Sequence, residues 1–113
     1  MHLTQLEGFG VTLAVESVAA IALAPSFQIS RGRAVLSAIL GSSVTHPLLW
    51  LTFYKVYPLL DAATTPVLEA VVMLAEAPFY RFLAKARWLE ALLLSVLVNA
   101  ASWAAGELIY ALL

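Results

Sequence analysis

The 113-residue sequence contains no cysteine and few charged residues. The missing cysteine excludes disulfides, thiolate nucleophiles and metal or iron–sulfur sites with cysteine ligands. Only 12% of the residues are charged, about half the share found in soluble domains, whereas 63% are hydrophobic. The composition therefore predicts an integral membrane protein. A formal net charge of −1 gives no reason to expect a nucleic-acid partner.

Sequence motifs for common catalytic and nucleotide-binding sites are also missing. The chain has no H-E-x-x-H zinc helix, no G-x-S-x-G elbow, no phosphate-binding glycine loop and no dinucleotide fingerprint. No pattern places a nucleophile beside a base. We therefore predict that the protein is not an enzyme and holds no cofactor or metal ion.

Four apolar stretches of roughly 20 residues occupy nearly the whole chain. Each is long enough to cross a hydrocarbon core of about 30 Å as a helix. The clearest stretch runs from Ala34 to Tyr54 without an Asp, Glu, Lys or Arg. The sequence thus predicts an all-α, polytopic membrane protein with one domain over residues 1–113. The predicted transmembrane helices cover about 9–29, 34–54, 64–82 and 89–113.

The basic residues predict the orientation of these helices. Five of the six lie in or beside the first and third connections: Arg31, Arg33, Arg81, Lys85 and Arg87. The second connection, predicted over residues 55–63, has only Lys55. By the positive-inside rule, the basic connections face the cytoplasm and both termini lie outside. We expect the four helices to form two hairpins. We expect the membrane to be the bacterial inner (cytoplasmic) membrane.

The two predicted hairpins resemble each other in sequence. Leu36–Leu40 aligns with Leu94–Val98 at an offset of 58, and the first helix of each hairpin contains a glutamate, Glu16 or Glu76. Apolar helices also align by chance, so both chance and duplication stay open. A duplication would give a parallel repeat, with a pseudo-twofold axis along the membrane normal.

Small and weakly polar residues form a stripe on the second helix and another on the fourth. Such stripes mark helix interfaces in lipid, where association depends on close packing and interhelical hydrogen bonds. We predict a packing seam made of Ala38, Gly41, Thr45, Ser95, Ser102 and Gly106. The alternative is that one of the stripes lines a polar path.

Three glutamates, Glu16, Glu69 and Glu76, fall inside the predicted spans. A carboxylate at the centre of a transmembrane helix costs about 2.5–3.5 kcal/mol on insertion scales, so it takes up a proton or finds a partner. His46 falls at roughly the depth of Glu16 in the membrane, and Asn99 falls near the depth of Glu76. The sequence predicts an outer cluster of Glu16, His46 and Glu69 and an inner pair of Glu76 and Asn99. These groups suit a proton, cation or substrate site, or serve as protonated glue between helices.

Together these patterns predict a small transporter or channel-forming subunit that moves protons, cations or a small solute through intramembrane carboxylates. The alternative is a non-catalytic accessory or scaffold subunit whose acids pair with a partner's helices. Four short helices are too few to enclose a path for a transported substrate. We therefore expect the protein to lie in the lipid bilayer as a homo-oligomer or in complex with another membrane protein. Glutamates that converge inside one bundle would favour a site, whereas outward-facing glutamates would favour a partner.

Overall fold

The computed structural model describes residues 5–112 as a bundle of four α-helices. Of these residues, 93% are helical and none is in a strand, which confirms the all-α prediction. The helices are α1 (Gln5–Leu23), α2 (Arg31–Leu60), α3 (Thr64–Leu83) and α4 (Trp88–Leu112). Short 3₁₀ turns follow α1 at Ala24–Phe27 and α2 at Asp61–Ala63.

Three continuous helical segments are long and apolar enough to cross a membrane: Leu6–Phe27, Arg31–Leu83 and Trp88–Leu112. By this criterion the described chain has three such segments and not the four predicted. The middle segment has 53 residues and contains both α2 and α3. They count as one segment because the 3₁₀ turn Asp61–Ala63 follows α2 directly and leads directly into α3, although Asp61 itself has a positive φ of 49°.

The helix boundaries differ from the predictions mainly at prolines. Pro25 lies in the 3₁₀ turn, so α1 ends before it rather than continuing to residue 29. In contrast, α2 continues through Pro58 to Leu60, although a proline removes one backbone hydrogen bond and its ring crowds the carbonyl four residues earlier. At its other end, Ser30 caps α2 by accepting a hydrogen bond from the Arg33 amide at 3.4 Å. Arg31 and Arg33 therefore lie in the first turn of α2. The predicted end of the fourth helix, residue 113, lies outside the described residues.

The four helices surround a common interior. Each of α1 and α3 packs against both α2 and α4. Small and polar side chains fill the interior, whereas many large aliphatic side chains face outward, among them Leu36, Leu51, Leu74 and Leu108. This distribution suits surroundings as apolar as a lipid bilayer, because a leucine side chain that faces lipid carries no free-energy penalty.

The two ends of the bundle differ. A hydrophobic core lies toward the end that carries the first and third connections; its buried members are Ala20, Ala24, Ala34, Ala38, Tyr80, Ala86, Ala91, Leu94 and Val98. Toward the opposite end, two cavities separate neighbouring helices. The first cavity, of about 250 Å³, lies between α1, α2 and α4. The second cavity, of about 260 Å³, lies between α2 and α3.

Candidate functional site

Polar side chains from all four helices meet between the hydrophobic core and the two cavities. Two of them, Glu16 of α1 and Glu76 of α3, are 0% exposed. The group, called the carboxyl cluster below, consists of Glu16, Ser42, Thr45, His46, Glu76, Ser95 and Asn99. The bundle therefore buries two acids, each in its own set of hydrogen bonds: Ser42 donates to Glu16, and Thr45 and Asn99 donate to Glu76.

Both carboxyl oxygens of Glu76 accept hydrogen bonds from other helices. Thr45 Oγ1 on α2 donates to Oε2 at 2.7 Å, and Asn99 Nδ2 on α4 donates to Oε1 at 3.2 Å. Asn99 Nδ2 also donates to the Ser95 carbonyl oxygen at 2.8 Å, while Ser95 Oγ donates to the Met73 carbonyl oxygen at 2.6 Å. The predicted pair of Glu76 and Asn99 is present, and protein donors satisfy both oxygens of this acid.

Glu16 is only half satisfied. Its Oε1 accepts a hydrogen bond from Ser42 Oγ on α2 at 2.5 Å and lies 3.9 Å from His46 Nε2. Its Oε2 is buried and has no hydrogen-bond partner among the described residues. A buried acceptor without a donor costs about 1–3 kcal/mol. Glu16 therefore keeps one oxygen free for a proton or for a donor from outside the chain.

His46 connects Glu16 with the first cavity, because its side chain lines that cavity and is 14% exposed. The imidazole ring lies 5.6 Å from the Phe9 ring and 6.3 Å from the Trp50 ring, and these two rings lie 5.8 Å apart. A proton on His46 would lie near two aromatic rings and the carboxyl group of Glu16. The imidazole is thus placed between an open cavity and a buried acid.

The predicted outer cluster forms only in part. Glu16 and His46 come together, but Glu69 is only half-buried and makes no hydrogen bond or ion pair with either of them in the described chain. The reason is the side of the bundle: Glu69 belongs to α3, whereas His46 faces the cavity between α1, α2 and α4. The Glu69 carboxylate interacts electrostatically with the carboxyl groups of Glu76 on its own helix and of Glu16 on α1.

The predicted packing seam is also divided. Ala38, Gly41, Thr45 and Ser95 are buried between helices, whereas Ser102 and Gly106 are half-buried and line the first cavity. A Cβ atom added to Gly41 would lie 3.3 Å from Glu76 Cγ, so this glycine permits the close approach of α2 and α3. The stripe on α2 is a packing surface, and the outer part of the α4 stripe borders a cavity.

Sequence reasoning missed the hydroxyl donors of the cluster. Ser42 is not among the site residues predicted from the sequence, and Thr45 is predicted as part of the packing seam or of a stripe that lines a polar path. The available signal was spacing: Ser42 and Thr45 share the face of α2 that also carries Gly41 and Ala38. Pro47 in α2 and Pro78 in α3 each remove one backbone hydrogen bond, but the side-chain hydrogen bond from α4 to α3 goes to the Met73 carbonyl.

The donor set of the site indicates proton chemistry more than metal chemistry. Within residues 5–112, no three His, Asp or Glu side chains are grouped in a way that could hold a metal ion. The cluster instead combines two carboxyl groups, hydroxyl groups and an imidazole, all of which can exchange protons. Comparison of the chain with protein-family models, with curated proteins and with solved structures finds no match.

Proposed function

We propose that the protein is a small membrane transporter or channel-forming subunit that moves protons or a small cation by way of Glu16 and Glu76. The observation that carries this proposal is the burial of both carboxyl groups, each 0% exposed, inside a single bundle. Acids that served to bind the helices of a partner would face outward. Each acid costs about 2.5–3.5 kcal/mol at the centre of a membrane, which packing by small residues does not require.

The proposed route leads from the first cavity through His46 to Glu16 and then to Glu76. Ser42 and Thr45 are three residues apart on α2, so their Cβ atoms lie about 5–6 Å apart on one face. Each of these hydroxyls binds one of the two carboxyl groups. Because a hydroxyl both donates and accepts hydrogen bonds, this face of α2 can relay a proton between the acids.

For topology, we propose four membrane-spanning helices with both termini outside. The 30 residues of α2 and the 20 residues of α3 correspond to about 45 Å and about 30 Å, so each is long enough to cross separately. The short connections favour antiparallel neighbours. The basic end of the bundle then faces the cytoplasm, which is the orientation expected for a protein of the bacterial inner membrane.

We also infer that the two hairpins form a parallel repeat. The first helices of the hairpins, with the residue that follows each, bury equivalent positions whose numbers differ by 60: Glu16, Ala20 and Ala24 in the first hairpin, and Glu76, Tyr80 and Ala84 in the second. The second helices match at a difference of 57, where Ser42 and Asn99 each donate a hydrogen bond to the glutamate of their own hairpin. This register replaces the offset of 58, which followed a short Leu-Ser identity rather than the buried faces.

The turns within the hairpins support the same register. Gln28 and Lys85 are the residues with left-handed backbone conformations in the first and third connections, at φ 56° and 60°. Their numbers also differ by 57. Non-glycine residues adopt this conformation uncommonly, so its recurrence at equivalent places favours duplication over chance alignment.

The transport proposal predicts that Glu16→Gln and Glu76→Gln each abolish most proton flux. Glutamine keeps the shape of glutamate and one acceptor oxygen but carries no exchangeable acid proton. The assay measures proton flux into liposomes that contain a pH dye, driven by a potassium diffusion potential. We expect this flux to fall by roughly tenfold or more in each variant. Glu107→Gln is the matched control, because Glu107 is an exposed acid near the end of α4 and should leave the flux unchanged.

Wild-type flux no higher than that of empty liposomes would contradict the proposal. Unchanged flux in both Glu16→Gln and Glu76→Gln would also contradict it. If those variants also failed to co-purify with a membrane partner that wild type retains, the accessory-subunit alternative would be favoured instead.

A further inference from the structure

The first and second cavities occupy equivalent places in the two halves of the chain. Val11 of α1 and Ser102 of α4 line the first cavity, whereas Val71 of α3 and Thr45 of α2 line the second. The valines differ by 60 in number and the hydroxyl residues by 57, which are the offsets of the proposed repeat. The two cavities, of about 250 and 260 Å³, are therefore two copies of one feature.

The two copies differ in what they leave for a ligand to bind. In the second cavity, Thr45 donates to Oε2 of Glu76 and completes the hydrogen bonding of that acid. The equivalent hydroxyl in the first cavity belongs to Ser102, which forms no hydrogen bond with Glu16 in the described chain. Oε2 of Glu16 is consequently a buried acceptor without a donor. The protein donor present in one half is missing from the other.

The walls of the two cavities also differ. Phe9, Trp50 and Tyr110 line the first cavity together with His46, whereas aliphatic side chains dominate the second. Aromatic faces attract cations, most strongly where water is excluded. None of the described residues that line the first cavity is a lysine or arginine. The first cavity thus combines aromatic faces with an adjacent carboxyl group that has a free oxygen.

We propose that the first cavity binds a small protonated amine. The ammonium group lies at the inner end of the cavity beside His46 and Ser102. Glu16 does not itself line the cavity; its carboxyl group lies behind His46, with Oε1 3.9 Å from His46 Nε2, and supplies the negative charge. The hydrocarbon part packs against Phe9, Trp50 and Tyr110. An ammonium group suits this place because it has three N–H donors and no acceptor. A bare metal ion suits it poorly, because hard cations require six or more oxygen ligands.

This inference rests on the proposed function, because Glu16 takes part both in the proposed transport and in the proposed amine site. It specifies the small cation as an ammonium-type monocation. The test is equilibrium binding of radiolabelled n-butylammonium to the purified full-length protein in detergent, at pH 7 and without a proton gradient. We expect saturable binding that neutral n-butanol does not displace. We expect Glu16→Gln to weaken binding by about tenfold or more, as for loss of a hydrogen bond to a charged group.

The repeat provides a matched pair of variants for this test. Val11→Phe fills the first cavity and should abolish binding, whereas Val71→Phe makes the same change in the second cavity and should leave the affinity unchanged. Gly106→Leu is a second way to fill the first cavity, because no atom lies within 4 Å of a Cβ added there. Helicity and gel-filtration profiles identify the variants that fold.

Equal affinity in wild type and folded Gly106→Leu would overturn the proposal, as would binding that is unaffected by Glu16→Gln or displaced by n-butanol. Retained amine binding without any proton flux would uphold the site and overturn proton transport. Proton flux that depends on Glu16, without butylammonium binding, would uphold transport and overturn the amine site.

Discussion

Ser42 and Ser43 are adjacent in sequence but have opposite surroundings. Ser42 is buried and donates its hydroxyl to Glu16 at 2.5 Å, whereas Ser43 is exposed on the outer face of α2. The contrast follows from helix geometry, because a rotation of about 100° per residue moves a side chain from the interior to the surface. Comparison of the two serines therefore measures how much one hydrogen bond to a buried acid contributes to the free energy of unfolding.

We predict that Ser42→Ala lowers the free energy of unfolding by about 1 kcal/mol, because it removes the only protein donor to Glu16 in the described chain. Ser43→Ala, its neighbour, should change the free energy by less than about 0.5 kcal/mol. Reversible unfolding in mixed detergent micelles, followed by circular dichroism, measures both values. A loss of the same size in the two variants would show that the hydrogen bond to Glu16 contributes nothing to stability.

At the residue level, the sequence predicts the acids of the cluster better than their donors. Glu16, Glu76 and Asn99 are conspicuous because polar groups inside an apolar helix carry a high cost. Ser42 and Thr45 are not, because a hydroxyl can satisfy itself on a carbonyl of its own helix, as Ser37 and Thr52 do here. Which hydroxyls reach across to another helix depends on helix rotation.

The contact between α2 and α3 depends on the absence of a side chain at Gly41. A Cβ atom there would lie 3.3 Å from Glu76 Cγ and 3.5 Å from Phe79 Cδ2. A side chain that extends beyond Cβ at this position must push α2 and α3 apart. Since Thr45 lies one turn further along α2 and donates to Glu76, the same displacement would lengthen this hydrogen bond.

We predict that Gly41→Leu destabilises the bundle by roughly 1–3 kcal/mol through overpacking and reduces proton flux along with stability. Gly10→Leu on α1 is the control, because a Cβ atom there meets nothing within 4 Å. The same unfolding and flux measurements apply to both variants. Gly41→Leu with wild-type stability would mean that α2 and α3 do not need this close approach.

At the level of helices, apolar stretches predict where helices exist, but connections are harder to predict. Pro58 and Asp61 fall in the connection predicted over residues 55–63, yet α2 continues to Leu60 and a 3₁₀ turn over Asp61–Ala63 suffices to reach α3. Proline in the last turn and a positive φ at Asp61 are compatible with such a short link. Composition alone does not distinguish that geometry from a flexible loop.

For the whole molecule, the missing cysteine makes orientation directly testable, because any introduced cysteine is the only one. Ser26 near the basic end and Ala62 in the connection at the opposite end are both exposed. We predict that Ala62→Cys reacts with a membrane-impermeant maleimide in intact cells, and that Ser26→Cys reacts only after permeabilisation. The reverse pattern would invert the proposed topology, and labelling of both sites in intact cells would indicate insertion in two orientations.

The described chain begins and ends at the same side of the bundle as the three-residue link between α2 and α3, and each hairpin has its own basic connection and its own glutamate. Each hairpin therefore contains the information for its own insertion. The order in which the hairpins are synthesised should then be immaterial. A chain that begins with α3 and α4 and continues with α1 and α2 would need a link from α4 to α1, two helices that already pack against each other.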